Sequence, residues 1–135
     1  MASELRVNTL KDASGNNSVA TSVVFGGTAK AWLNFNQIAP STRDSFNVSS
    51  MTDTATGKYA ANWTSNFDNV NYSSCENHAG DNGEDYGNYG VTSHGSWNNY
   101  SGQRTAGLCQ GSTYYYSGNY ADFYTVEGQF VGDLA

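Results

Sequence analysis

The sequence predicts an all-β protein, a small antiparallel β-sandwich with an extended N-terminal arm. Short runs that alternate apolar and polar residues are separated by turn residues about every eight to twelve positions, which is typical of such folds. No stretch places apolar residues at the spacings of three and four that an amphipathic helix needs. The 135 residues, about one domain, include 15 glycines and ten tyrosines, and tyrosine is enriched in strands.

Residues 1–26 differ from the rest of the chain and predict the N-terminal arm. Leu5 and Val7 begin a short alternation, a turn-rich stretch covers residues 12–18, and an apolar stretch covers residues 19–25. Such a segment cannot bury its own apolar side chains. The alternative is an edge strand of the same domain. After the Gly26-Gly27 pair, residues 27–135 are expected to form the sandwich domain, with a loop-rich distal half.

The clearest predicted strand covers residues 29–36. Its alternate residues form two faces, with Ala29, Ala31, Leu33 and Phe35 on one and Lys30, Trp32, Asn34 and Asn36 on the other. A turn that contains Pro40 follows at residues 38–42.

A hairpin is predicted next. Residues 45–49 alternate Phe46 and Val48 with serine and asparagine, which indicates a half-buried strand, and residues 54–57 supply the turn. The returning strand places three apolar residues on one face: Tyr59, Ala61 and Trp63. A further short strand is expected to carry Phe67, Val70 and Tyr72.

From residue 73 to residue 111, glycine, asparagine, serine and acidic residues dominate. A loop this long in a compact domain is either functional or a sign that strands have been missed, and we expect only short strands here, near residues 89–93 and 104–109. Closing strands are predicted at residues 114–116 and 124–134. The last strand has an apolar face and an exposed face, with Val126 and Phe130 on the first and Glu127, Gln129 and Asp133 on the second.

Charge and hydropathy argue against two kinds of partner. The net charge is −6, and no basic residue lies between Lys58 and Arg104, so the phosphates of a nucleic acid would be repelled. No apolar run approaches the roughly 20 residues of a membrane-spanning helix. The N-terminus lacks the pattern of a secretory signal peptide, so we expect synthesis in a cytoplasm and no membrane insertion.

Candidate catalytic and metal sites are weak. Asp81, Glu84 and Asp85 gather oxygen ligands that calcium would accept, but the spacing is not that of an EF-hand, and the alternative is a solvated acidic loop. Neither His78 nor His94 lies in a recognisable local motif with a second ligand or nucleophile. No pair of carboxylates stands in a recognisable frame for glycoside hydrolysis. We therefore expect no enzyme, no cofactor and no bound metal.

Cys75 and Cys109 are the only cysteines, and they either form one disulfide or remain unpaired thiols.

Tryptophan, tyrosine and asparagine in the C-terminal half of the chain suit a sugar, whose ring stacks on aromatic groups while its hydroxyls bond to amides. The candidate receptor or glycan contacts are Trp97, Asn98, Asn99, Tyr100, Tyr115 and Tyr120.

The first 72 residues resemble a known protein class. The segments AKAWLNFN (29–36), RDSFNVSSMTD (43–53), TGKYAANWT (56–64) and DNVNY (68–72) are similar to a β-rich module of tail-fibre and related virion proteins in bacteriophages, particularly cyanophages and other marine phages. The start, MASELRVNTLK, is similar to that of small virion proteins in the same phages. The resemblance implies a homotrimeric structural or adhesive virion protein that has no catalytic residues.

The resulting hypothesis is a phage tail-fibre or fibre-tip subunit that is made in the host cytoplasm and works on the virion. Its arm would pack on sister chains or on another virion protein, and its distal half would contact a glycan or protein of the host surface. The alternative is a capsid decoration or head-fibre protein, or a baseplate connector, with no role in receptor binding.

Overall fold

The computed structural model describes residue 3 and residues 5–79, 90–93, 104–115 and 118–135 of the chain. These residues form ten β-strands and one short helix. In chain order the elements are β1 (Thr9–Lys11), β2 (Ser18–Ala20), α1 (Thr21–Gly27), β3 (Ala29–Asn36), β4 (Ser41–Phe46), β5 (Val48–Ala55), β6 (Lys58–Trp63), β7 (Ser73–Ala79), β8 (Gly90–Ser93), β9 (Leu108–Tyr115) and β10 (Thr125–Val131).

The strands form two four-stranded sheets and a separate hairpin, all antiparallel. The first large sheet has the strand order β4-β3-β10-β7, the second has the order β5-β6-β9-β8, and β1 pairs with β2 alone. The inner faces of the two large sheets contribute to a single hydrophobic core. The prediction of antiparallel β-structure is confirmed, and the seven-residue helix α1 is an addition to it.

Aromatic rings fill the centre of this core. Trp63 on β6 lies with its ring centroid 4.8 Å from that of Phe130 on β10 and 5.6 Å from that of Phe67. Aromatic pairs at these distances add stability beyond the burial of their area. The predicted faces of β3 and β6 are confirmed, since Leu33 and Tyr59 and their alternate neighbours are buried.

The prediction of one strand over residues 45–49 is wrong, because the chain changes sheets at Asn47. Asn47 has φ 59°, a left-handed conformation that asparagine tolerates better than most residues. Its side chain fixes the bend by donating from Nδ2 to the Ser65 carbonyl and by accepting from the Ser65 amide at Oδ1. As a result Phe46 ends β4 on an exposed outer face, while Val48 starts β5 and packs on the core.

The predicted strand at Phe67, Val70 and Tyr72 is also wrong. Residues 64–72 are mainly bends and turns, and the one ladder contact there is an isolated bridge between Phe67 and Leu134. Phe67 and Tyr72 are nevertheless buried and stacked, with ring centroids 4.2 Å apart, whereas Val70 is exposed. The aromatic pair is a core contact made from a loop.

Strand β7 was not predicted, because its inward face is polar. Ser74, Glu76 and His78 point towards the core, and Ser73, Cys75 and Asn77 point outwards, so the strand has no apolar alternation. The strand expected near residues 89–93 is present as β8. The strand expected at residues 104–109 begins later, at Leu108, and Arg104 makes only an isolated bridge with Cys109.

Residues 5–27 form the β1-β2 hairpin and helix α1. The Asp12 carboxylate holds the hairpin turn by accepting from the Ser14 hydroxyl, the Asn16 amide and Asn17 Nδ2. Every residue of β1, β2 and α1 is exposed or half-buried. Within the described residues, β1 and β2 therefore belong to neither large sheet, and this segment contributes nothing to the central core.

Two glycines make room in the core for a tyrosine and a carboxylic acid. The Tyr59 hydroxyl donates to Glu76 Oε2 at 2.6 Å between the sheets. A Cβ atom at Gly111 would lie 2.3 Å from Tyr59 Cζ and from its hydroxyl oxygen, and one at Gly128 would lie 2.9 Å from Glu76 Cγ. Only glycine therefore leaves the space that this pair occupies.

Gly111→Ala should destabilise the fold, because the added methyl group must displace the Tyr59 ring. Overpacking of this kind costs about 1–3 kcal/mol, and the shift also weakens the bond to Glu76. Urea unfolding of the full chain measures the effect. The matched control is Gly26→Ala in α1, where a Cβ atom meets nothing within 4 Å and where alanine favours the helix. Equal stability of the two variants would contradict this account of the core.

Candidate functional site

The outer face of the first sheet carries two cross-strand rows of side chains. In the aromatic row, defined as Phe46, Trp32, Gln129 and Cys75, each residue stands opposite the next in the ladder. In the polar row, defined as Asp44, Asn34, Glu127 and Asn77, the same register holds. Because residues two apart on a strand share a face, the rows lie side by side.

A groove of about 400 Å³ runs over these rows where β3, β10 and β7 meet. Six outward-pointing residues line it, three from each row: Trp32, Gln129 and Cys75, and Asn34, Glu127 and Asn77. Trp32 and Asn34 are half-buried, and the other four are exposed. The groove therefore combines an indole ring with amide and carboxylate groups that solvent reaches.

Arg43 holds one side of the groove in place. It is the unpaired residue of a bulge in β4, between the ladder pairs of Asp44 and Thr42, and bulges of this kind redirect a side chain. Its guanidinium donates from Nη1 to Asn34 Oδ1 and Thr125 Oγ1, each at 3.1 Å, and from Nη2 to the Tyr124 carbonyl at 2.6 Å. It also lies over the Tyr124 ring, 4.3 Å from the centroid.

Asn34, which Arg43 holds in place, in turn holds Glu127 by a hydrogen bond. Its Nδ2 donates to Glu127 Oε1 at 3.1 Å across the β3-β10 pair. Among the described residues no hydrogen bond engages Glu127 Oε2. The two hydrogen bonds that link Arg43 to Asn34 and Asn34 to Glu127 therefore fix the side chains of Asn34 and Glu127 in one orientation.

Sequence alternation placed these groove residues on outer faces but did not bring them together. Trp32 and Asn34 were assigned to the face opposite the core, and Glu127 and Gln129 to an exposed face. The ladder register between β3 and β10 joins the two pairs, although more than 90 positions separate them in the chain. No local signal in the sequence reports such a register.

Most of the receptor contacts predicted from the sequence lie outside the described residues, namely Trp97, Asn98, Asn99 and Tyr100. Tyr115 is half-buried and packs on the core, with its ring edge-on to Phe123 at 5.5 Å. Tyr120 is 40% exposed. The two tyrosines that the structure describes therefore do not share one surface in the way that a single contact site requires.

Tyr120 belongs to a small surface cluster on the second sheet. Its ring is edge-on to Tyr114 at 6.4 Å, and Lys58 Nζ lies 4.8 Å from its centroid. Tyr114 and Tyr115, as neighbours in β9, point to opposite faces, as strand geometry requires. The tyrosine run at residues 114–115 is thus divided between the surface and the core.

The two cysteines are free in this structure. Cys75 is exposed in the aromatic row, whereas Cys109 is buried between the sheets. Their side chains leave β7 and β9 in directions that do not meet, because Cys75 points away from the core that encloses Cys109. No disulfide joins the two cysteines in this structure, and burial raises the pKa of the Cys109 thiol to about 12.

Of the other predicted metal-site and histidine candidates, the structure describes His78 alone. The calcium candidates Asp81, Glu84 and Asp85, as well as His94, lie outside the described residues. His78 is buried on the inward face of β7, with its ring 4.1 Å from that of Phe123. In the part of the chain that the structure describes, no three His, Cys, Asp or Glu side chains are gathered for a metal ion.

Residues 5–27 carry a second groove, with a volume of about 540 Å³. Apolar side chains from both ends of the hairpin and from α1 form most of its lining: Leu5, Val7, Leu10, Val24 and Phe25. Several of the segment's large apolar residues are strongly exposed, with Leu5 at 80%, Phe25 at 67% and Val23 at 62%. Exposed apolar residues that cluster in this way mark an interaction surface.

Glu76 is the most perturbed carboxyl group near the groove. Its backbone lines the groove, but its side chain points inwards. Burial raises the pKa of this carboxyl from its usual 4.5 to about 7, although hydrogen bonds from Tyr59 and Ser74 and the charge of Arg104 oppose the rise. The same burial, with the Glu76 charge beside it, raises the pKa of Tyr59 well above 10.

Arg104 lies close enough to Glu76 for its charge to act on the buried carboxyl group. Its Nη1 donates to the Tyr72 carbonyl at 2.7 Å, its Nη2 donates to Ser74 Oγ at 2.9 Å, and the guanidinium lies 4.7 Å from the Tyr72 ring centroid. The hydroxyl donors and the Arg104 cation stabilise the ionised form of Glu76, but loss of water around the buried carboxyl outweighs them and favours the protonated acid.

A scan of protein-family models, a search of curated proteins and a search of solved structures each found no match to this chain. No helix among the described residues is both long and apolar enough to cross a bilayer.

The raised pKa of Glu76 predicts that stability falls as the pH rises. The folded state holds the proton more tightly than the unfolded chain, so this contribution is complete below about pH 4.5 and is lost as the pH rises towards 7. The difference corresponds to at most roughly 3 kcal/mol in the free energy of unfolding. Burial lowers the pKa of His78, which acts in the opposite direction, so a variant must isolate Glu76.

Glu76→Gln keeps the size of the side chain and removes its titration. Urea unfolding between pH 4.5 and 8 should therefore show a smaller loss of stability in this variant than in the unchanged chain. The control is Glu127→Gln, an exposed carboxylate on neighbouring β10, which should retain the full loss. Parallel curves for Glu76→Gln and the unchanged chain would show that Glu76 titrates normally.

Proposed function

We propose that this chain is a structural protein of a bacteriophage virion, a homotrimeric tail-fibre or fibre-tip subunit that contacts the host surface. Residues 1–26 form an arm that binds sister chains or another virion protein. Residues 27–135 form a β-sandwich domain that faces outwards. The protein acts by binding and not by catalysis, and it needs no cofactor.

The observation that carries this proposal is the apolar surface of residues 5–27. Hairpin β1-β2 and helix α1 leave Leu5, Val23 and Phe25 largely exposed, although the segment holds a groove that is lined by apolar groups. A two-stranded hairpin is at best marginally stable alone in water. Packing against a further chain would bury these side chains and stabilise the segment at the same time.

The distribution of charge favours association through the arm. Residues 1–26 contain the acids Glu4 and Asp12 and the bases Arg6 and Lys11, so the arm is neutral and the net charge of −6 resides on residues 27–135. Contact between two such domains would bring like charges together, which is unfavourable. A neutral apolar arm associates with another chain without that repulsion, and in a closed ring of three sister chains each arm packs against the next one.

Three copies of one chain also suit adhesion. A trimer presents three equal surfaces in fixed positions, and the linked sites act together even where each binds weakly. The outer face of the first sheet offers such a surface, because it combines Trp32 with amide groups in an accessible groove. This supports a contact role in addition to an architectural one.

Substitution of two exposed residues of α1 should break the assembly. In the double variant Val23→Ser/Phe25→Ser, each change removes apolar burial on the order of 1 to 2 kcal/mol per chain, so association should weaken by at least ~10-fold. Sedimentation equilibrium should give three times the chain mass for the unchanged protein and a lower mass for the variant. Urea unfolding should show that the sandwich domain is retained.

Val70→Ser is the matched control, because Val70 is an exposed apolar residue in a turn outside the arm. It should leave the trimer intact. An unchanged protein that sediments as a monomer at every concentration would overturn the proposed assembly.

Cryo-electron microscopy of the virion tests the location. Threefold density at the tail, with residues 1–26 anchored, agrees with the proposal. Density over the capsid lattice would overturn the host contact and identify a decoration protein.

A further inference from the structure

We propose that the outer-face groove of the first sheet binds a neutral saccharide, with a sugar ring stacked on Trp32 and hydroxyls bonded to the polar row. The site is distinct from the contact residues that the sequence suggested near the C-terminus. The inference deepens the host contact proposed above, and it rests on that function only for the source of the saccharide.

The dimensions of the two rows fit a short saccharide. Neighbouring strands lie about 4.8 Å apart and residues two apart on a strand lie about 7 Å apart. Across β3, β10 and β7 the groove therefore offers a platform ~10 Å wide, with the Trp32 ring at one end of one row and polar side chains along the other row. A sugar ring also has an apolar face and a rim of hydroxyls, so one ring engages both rows at once.

The polar row offers donors and acceptors in matched positions. Asn34 and Asn77 flank Glu127, one on each neighbouring strand. Amides both donate and accept, and a carboxylate only accepts, so together they satisfy hydroxyls in either role. Gln129 adds a further amide directly opposite Trp32.

Arg43 lowers the cost of binding. Because Arg43 fixes Asn34, and Asn34 fixes Glu127 Oε1, these groups do not have to be ordered when a ligand arrives. A preorganised site loses less conformational entropy on binding. Glu127 Oε2 then accepts from a hydroxyl without breaking the bond to Asn34.

Charge argues against an anionic ligand. Glu127 and Asp44 stand in the polar row, and the guanidinium of Arg43 is already engaged by Asn34, Thr125 and the Tyr124 carbonyl. A sulfate, phosphate or carboxylate group would therefore meet the negative charge of Glu127 and Asp44, while Arg43, the cation bonded to the polar row, is already engaged. The net charge of −6 acts in the same direction.

The geometry argues against a peptide or an apolar protein surface. Strands β3 and β10 lie inside their sheet, so their backbone groups are already paired and no peptide strand adds to them. At the groove, a peptide strand could add only at the outer edge of β7, which places it beside the groove and not over Trp32. An apolar partner would strip water from Asn34, Glu127 and Asn77 without replacing their hydrogen bonds, which is costly. A polyhydroxylated ligand replaces those bonds.

The test is a titration of the ¹⁵N-labelled full chain with the neutral hexasaccharides maltohexaose, laminarihexaose and mannohexaose. The expected result is a saturable shift of the Trp32 indole N–H and the Asn34 amide signals with at least one of them at millimolar concentration. Trp32→Ala should weaken that binding by about tenfold, which corresponds to the loss of about 1.4 kcal/mol.

Two further variants keep the test decisive if Trp32→Ala does not fold. Gln129→Ala removes an exposed amide from the groove and should weaken binding severalfold. The matched control is Asn62→Ala, an amide on the outer face of the second sheet, and it should bind as the unchanged chain does. Equal binding by Gln129→Ala and Asn62→Ala would overturn the proposal.

Other outcomes also overturn it. These are the absence of any shift at Trp32, shifts confined to Tyr114 and Tyr120, or tighter binding of a heparin-derived hexasaccharide than of the neutral ones. A drop in sedimentation mass caused by Trp32→Ala would show that a second copy of the chain occupies the groove. The double variant Val23→Ser/Phe25→Ser changes no residue of the outer-face groove. Loss of assembly and loss of saccharide binding are therefore separately measurable.

Discussion

The antiparallel pairing of β3 with β10 is the contact on which the rest of the structure depends. It joins the two ends of the domain in the middle of one sheet, and its register fixes both faces at once. On the inner face it sets Phe130 opposite Ala31 in the core, and on the outer face it sets Glu127 opposite Asn34. A slip of one residue would exchange the two faces, so the core and the groove depend on the same register.

Strand β7 completes both faces and explains why the core contains a carboxylic acid. Its outward residues Cys75 and Asn77 finish the groove, while its inward residue Glu76 meets Tyr59 between the sheets. Buried acids are tolerated when protonated and hydrogen-bonded, and here two glycines provide the space. The same strand therefore provides groove residues on its outer face and a titratable group in the core on its inner face.

The chain divides its apolar residues between two uses. Among the described residues of the domain, Phe67, Tyr72 and Phe130 meet around Trp63 in the core, while Trp32 and Phe46 stand on the outer face of the first sheet. Within residues 5–27 the apolar residues stay exposed, because a hairpin and a seven-residue helix provide no second layer to cover them. A single chain thus covers the core of its domain but leaves large apolar side chains of its N-terminal segment exposed, and the proposed arm rests on this difference.

By itself the sequence determined the β class, the β5-β6 hairpin and the faces of β3, β6 and β10, because side-chain alternation and turn residues are local signals. It did not reveal β7, whose inward residues are polar, or the change of sheet at Asn47, which depends on bonds to distant Ser65. Only the tertiary structure decided that Trp32, Asn34, Glu127 and Gln129 share one groove. Strand register between segments far apart in the chain is set by packing of the whole core, and no local pattern encodes it.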